Sequence, residues 1–189
     1  MRIAFIDLTF HWPATGGSWI DTYEVMTRLQ AKGHDVALFV PRFQYGFVPR
    51  GEIKDELPFP VFTLPFTPSQ FNWKTAPQRF HDEVMEWQPD VVMVGDAYTM
   101  KSWIGLAFKE VPVIQRFFGH EMICPNYIGM IRHGEICKTH FLRTPGYCTQ
   151  CAIRMMRWSW VHNGMDEFIH EYITGLGFAP FYKHIIVKS

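Results

Sequence analysis

The chain is 189 residues long with 48% hydrophobic residues, enough for one domain whose core needs no disulfide support. Lys plus Arg and Asp plus Glu are equal at 18 each, which excludes a global field for nucleic acid or anionic membrane and leaves only local patches for that work. No stretch approaches the roughly 18 apolar residues of a spanning helix, and Asp7 ends the apolar start too soon for a signal peptide, so a cytoplasmic location is expected.

Arg2 to Asp7 is a short, nearly continuous apolar run closed by an acid, the pattern of a central parallel strand covered on both faces. A loop with Pro13 and the pair Gly16-Gly17 follows. Ser18 to Lys32 then places Ile20, Tyr23, Met26, Leu29 and Gln30 at helical spacing, and Gly33 occupies the C′ position that stops a helix. His34 to Val40, ending at Pro41, and Val61 to Leu64 read as strands. A helix over about 76–87 leads to an apolar strand, Asp90 to Val94, that closes in Gly95-Asp96. Another helix over about 99–109 precedes a strand from Val111 to Phe117, and Tyr182 to Val187 forms a last strand. Alternating strands and helices predict an α/β fold, a Rossmann-like three-layer parallel sheet of order 3-2-1-4-5-6. More than 60 residues separate the last two strands, and the insertion over about 119–157 is too long for an ordinary connection.

That insertion carries all four cysteines, Cys124, Cys137, Cys148 and Cys151, the last two as Cys-Thr-Gln-Cys. Four thiolates suit a structural zinc, and a Cys-x-x-Cys knuckle is the usual half of such a site; here the other two stand thirteen apart rather than as a close pair. An iron-sulfur cluster uses the same donors, and disulfides or thiols are the remaining readings. Around the cysteines, Arg132, Lys138, Arg143, Arg154 and Arg157 outweigh Glu135, with Tyr127, His133, His140, Phe141, Tyr147, Trp158 and Trp160 interleaved. Such a patch suits a phosphorylated or lipid-linked ligand or a peripheral membrane contact, or it is a solvated loop face. It has no recognised nucleic-acid module, so no nucleic acid partner is expected.

Three segments together resemble the N-terminal half of the family 4 glycosyltransferases, retaining enzymes of the two-domain B-type fold. Arg2-Ile3-Ala4-Phe5-Ile6, the loop to Gly16-Gly17, a helix and Gly33-His34-Asp35-Val36 match the family's strand, double-glycine loop, helix and strand entry. Gln88-Pro89-Asp90-Val91-Val92-Met93-Val94 resembles its Pro-Asp-Val strand, and Pro112-Val113-Ile114 to Gly119-His120-Glu121 its strand ending in His-Asp. Ile185-Ile186-Val187-Lys188-Ser189 resembles the strand that ends in Ser.

The resemblance implies an acceptor-side domain over residues 1–189, with the C-terminal donor-binding domain, which carries two glutamates eight residues apart, absent from this sequence. It implies that Gly16 and Gly17 contact the leaving phosphate of a nucleotide-sugar donor, as a strand-to-helix junction with unpaired N–H groups would allow. A tight turn is the alternative reading of that pair. His120 is implied to contact the transferred sugar or the acceptor, beside Glu121. The family's histidine after the Pro-Asp-Val strand is replaced here by Gly95-Asp96; Asp96 is a candidate for binding a sugar hydroxyl, for an acceptor-side base, or for capping the next helix. Cysteine-bearing inserts after the His-Asp strand occur in the resembling enzymes, which favours a structural purpose for the four cysteines. No Gly-x-Gly-x-x-Gly pattern supports a dinucleotide. The expected function is sugar transfer from a nucleotide donor to an acceptor, with the isolated domain inactive. The alternatives are a stand-alone binding or scaffold module with a metal-clipped insert, and a sugar-nucleotide epimerase.

Overall fold

A computed structural model describes residues 1–43, 52–67, 69–97, 100–118, 131–132, 135–137, 146–147 and 150–151. The chain divides into two compact units, one of Met1–Ala97 with Trp103–Phe118 and one of Tyr98–Ser102 with Gly119–Ser189. The expected last strand, Tyr182 to Val187, and most of the insertion over 119–157 lie outside the described residues.

The first unit is built on a five-stranded parallel sheet. Its strands are β1 (Arg2–Ile6), β2 (Asp35–Phe43), β3 (Val61–Phe66), β4 (Val91–Val94) and β5 (Val113–Gln115), in the order β3-β2-β1-β4-β5. β1 is therefore central, with Ile3 to Ile6 all buried, as its unbroken apolar run requires. Side chains alternate across the sheet and define two cores. Ile3 and Phe5 of β1 and Val36, Leu38 and Val40 of β2 pack with Met26 of helix α1 (Gly17–Ala31) and with Phe59. On the other face Phe39 stacks on Phe62 at 4.8 Å, and Phe66 stacks on Phe80 of helix α2 (Thr75–Glu86) at 5.8 Å. Helices on both faces make the three layers that the strand-helix alternation predicts.

β2 runs two residues past Pro41, where the sequence suggests an end. The ladder shows why the proline is tolerated. Leu38 donates to the Pro60 carbonyl on the β3 side, so even-numbered residues of β2 bond towards β3 and odd-numbered ones towards β1. β1 pairs with β2 only as far as Ile6 opposite Phe39. The missing N–H of Pro41 thus faces a side where no strand pairs with it, and no ladder bond is lost. By the same alternation the nitrogen of Pro65 points away from β2, towards the outer side of β3 at the end of the strand order. β5 and helix α3 (Lys101–Ala107) are shorter than their apolar patterns suggest.

Helix α1 ends as Gly33 predicts. Gly33 has φ +82°, its N–H donates to the Gln30 carbonyl at 2.9 Å, and His34 N–H donates to the Leu29 carbonyl at 3.1 Å. This is a Schellman closure, and a Cβ at its left-handed residue, just beyond the helix, would be strained. Helix α2 begins after Asn72, whose Oδ1 accepts from the backbone N–H of Lys74 and of Thr75, while Pro77 sits in the first turn where no N–H is needed.

The described part of the second unit includes a short antiparallel pair, β6 (Ile131–Arg132) with β7 (Glu135–Ile136). No helix among the described residues is long and apolar enough to cross a membrane.

Candidate functional site

Strand order reverses at β1: the chain moves to β2 on one side and returns to β4 on the other. In open parallel sheets a crevice forms at such a point, outside the carboxyl ends of the two diverging strands. Here the segments at that position are residues 7–19 after β1 and Gly95-Asp96 after β4.

These two edges are tied together. Asp7 N–H donates to the Phe39 carbonyl at 3.1 Å, Gly95 N–H to the Ile6 carbonyl at 2.8 Å, and Leu8 N–H to the Asp96 carbonyl at 2.7 Å. The Asp7 carboxyl accepts on both oxygens. Oδ1 takes the Thr9 N–H at 2.9 Å and the Thr9 hydroxyl at 3.3 Å, and Oδ2 takes the Asp96 N–H at 3.1 Å. The Asp7-to-Thr9 backbone bond is an Asx turn, which lets a short acid hold the loop that leaves the strand. Asp7 is fully buried, and its pKa is pushed up to about 7, chiefly because burial penalises the charged form and secondly because Asp96 brings a like charge; the Thr9 and Asp96 hydrogen bonds oppose that rise. Gly95 is required beside it, since a Cβ there would come within 2.7 Å of Asp7 Oδ2.

The glycine pair opens helix α1. Gly16 is the N-cap residue with φ −139° and ψ 152°, an extended conformation open to any residue, so the pair is not needed for a left-handed turn. What glycine supplies is space. A Cβ on Gly16 would meet the Trp19 ring at 3.3 Å, whereas one on Gly17 would meet no described atom within 4 Å. Among the described residues the helix start has no side-chain cap and no acid in its first turn. Asp21, one turn on, lies with its Oδ2 2.6 Å from Arg116 Nη2, a close ion pair without hydrogen-bond alignment that offsets its charge. Among the described residues, no side chain occupies the N–H groups at the positive dipole end of α1.

Trp19 Nε1–H donates to the Thr9 hydroxyl at 3.3 Å, and the His11 ring lies 5.5 Å from the Trp19 ring. His11 Nδ1 accepts from Glu52 N–H at 3.3 Å, and Trp12 bridges to Ile53, so the loop after β1 is also fastened to residues 52–54.

Of the residues singled out in the sequence, Gly16, Gly17 and Asp96 border this one edge. Asp96 is half-buried and engaged through both backbone groups; helix α3 begins five residues beyond it. His120, Glu121, Cys124 and Cys148 lie outside the described residues. Cys137, immediately after β7, and Cys151 are half-buried, and Tyr147 of the basic and aromatic stretch is exposed. Among the described residues no group of three or more His, Cys, Asp or Glu could hold a metal ion. Asp7 is the group that sequence reading passes over. Its signal is an acid ending an apolar strand with a threonine two residues on, a pattern that reads equally as a strand terminus. No family model and no curated protein matches the sequence.

Proposed function

We propose that this chain is the acceptor-side, Rossmann-like domain of a retaining glycosyltransferase of the two-domain B type. In this reading Tyr182 to Val187 adds the sixth strand, the Cys-rich insertion lies before it, and a C-terminal domain grips the nucleotide-sugar donor. The domain presents a sugar acceptor, phosphorylated or lipid-linked, from a cytoplasmic, membrane-peripheral position. The observation that carries the reading is the start of α1 at Gly16-Gly17, which no side chain caps among the described residues and where Gly17 is exposed, after the central strand at which the strand order reverses.

The chemistry assigned to each residue follows from its type and place. The N–H groups at Gly16 and Gly17 stabilise charge on the departing diphosphate, which needs donors fixed before the bond breaks. His120, carried by the segment after β5, donates to or accepts from a sugar hydroxyl as a neutral imidazole. Asp96 and Glu121 serve as hydroxyl acceptors. The leaving phosphate takes the acceptor's proton, so no protein base is strictly required.

Inorganic pyrophosphate tests the anion site on the chain as it stands. Amide resonances of Gly16, Gly17 and Ser18 are expected to shift saturably at millimolar concentration, and Gly17→Glu to weaken the effect about tenfold or more by placing a carboxylate at the helix start. Absence of any shift in these three amides at about 10 mM pyrophosphate overturns the assignment. With nucleotide sugars alone, the chain is expected to give background transfer; measurable transfer would disprove the division of labour.

A structural zinc belongs to the same proposal. Four cysteines within 28 positions, two of them as Cys-Thr-Gln-Cys, support it, and a metal clip is a common source of stability for a long insertion. Cys124, Cys137, Cys148 and Cys151 would hold the ion as thiolates, and its part is structural. Protein prepared without chelator is expected to carry about one zinc per chain, lost in Cys148→Ser. Metal-free protein whose four cysteines are joined in two disulfides contradicts this.

A further inference from the structure

The buried Asp7 carboxyl has no role in the transfer chemistry proposed above, yet three separate segments converge on it. Its Oδ2 holds the backbone N–H of Asp96 at the end of β4. Its Oδ1 holds Thr9, whose hydroxyl in turn accepts from Trp19 Nε1 in the first turn of α1. The Trp19 ring lies against Gly16. One carboxyl thus connects the β4 edge of the crevice to the glycine pair on its other border.

We propose that Asp7 is a positioning residue that sets the Gly95-Asp96 turn and the Gly16-Gly17 helix start relative to each other through the chain Asp96–Asp7–Thr9–Trp19. The assignment of what that edge binds rests on the glycosyltransferase reading; the positioning itself does not. Rigidity at this joint is supplied from all sides. Gly95 leaves the space that the carboxyl occupies beside β4, the Asp96 N–H holds it there, Phe39 fixes the Asp7 backbone from β2, and the Asx turn fixes it from the loop. Among the described residues, the groups at the Asp7 carboxyl are the neutral Thr9 of its own loop and Gly95 with Asp96 beyond β4, while the Phe39 carbonyl of β2 takes its backbone N–H. Trp19 of α1 is reached through Thr9. Asp96 is the neighbour whose charge acts on it.

A merely space-filling Asp7 would not transmit its protonation to a tryptophan ten or more residues away; a positioning one must. Proton–nitrogen correlation spectra of the chain between pH 5 and 9 are expected to show the Thr9 N–H, Asp96 N–H and Trp19 indole N–H moving with a common midpoint near 7. Thr9→Val removes the hydroxyl link, so the Trp19 signal should lose its pH response while the Asp96 amide keeps its own. Asp96→Asn removes the neighbouring charge and should move the shared midpoint to lower pH. Asp7→Asn should abolish the common titration, and Asp96→Asn keeps the test decisive if that variant does not fold. Three unrelated midpoints, or a Trp19 response that survives in Thr9→Val, overturn the proposal. Pyrophosphate added to the same samples separates the two ideas: a common titration without anion binding keeps the positioning role and removes the transferase reading.

Discussion

The stability of the wild-type chain relative to Asp7→Asn should fall by about 4 kcal/mol as pH rises from 4 to 8, read from urea unfolding of both proteins. Below pH 4 the carboxyl is protonated in both folded and unfolded chains. Between pH 4 and 7 the folded protein keeps a proton that the unfolded chain, titrating at its ordinary value of 3.8, has released. Stability therefore declines with pH through that window, and the decline flattens above about 7, where both states are ionised. The exposed carboxylates Asp82 and Glu110 carry lowered pKa values, Asp82 first through its hydrogen bond with His81 and Glu110 first through backbone hydrogen bonds at Glu110 itself and at Lys109. Their contribution has the opposite sign but is common to both proteins and cancels in the comparison. Asn loses one acceptor towards Asp96, a fixed penalty that displaces the whole difference without changing its slope. A difference that stays flat from pH 4 to 8 would mean that Asp7 ionises in the fold as it does in water.

That behaviour marks the boundary of what the sequence discloses. Parallel strands were legible because β1 and β4 are apolar without alternation, and the stop of α1 was legible because Gly33 has a local reason to be glycine. Pro41 misled because proline's effect depends on which side of a strand its nitrogen faces, and that is settled by where β1 stops pairing, not by residues near Pro41. The glycine pair was legible as a helix start, but the positive φ that usually explains such a pair is not used; its meaning lies in the space above Gly17. Asp7 was invisible for a related reason. Nothing within its own segment announces that Asp96, 89 positions on, will present both an N–H and a charge to it. Local chemistry can be read from a sequence; a perturbed carboxyl is made by non-local neighbours.

Phe39→Ala should destabilise the first unit by roughly 3–5 kcal/mol, the cost of emptying a fully enclosed aromatic site. Phe39 has no solvent exposure, lies parallel to Phe62 at 4.8 Å, and meets the Trp87 ring edge-on at 6.1 Å. β2 lies between β3 and β1, so its backbone is held by ladders on both sides and cannot move cheaply to fill the vacated volume. The same residue's carbonyl anchors the Asp7 N–H, and a sagging β2 would loosen the joint at the crevice as well as the core. Phe39→Leu is expected to cost less than half as much and to leave the pH response of the Trp19 indole in place. If Phe39→Ala shifts the urea midpoint no more than Phe39→Leu does, the aromatic layer on this face of the sheet contributes far less than its burial implies, and β2 is held by its ladders alone.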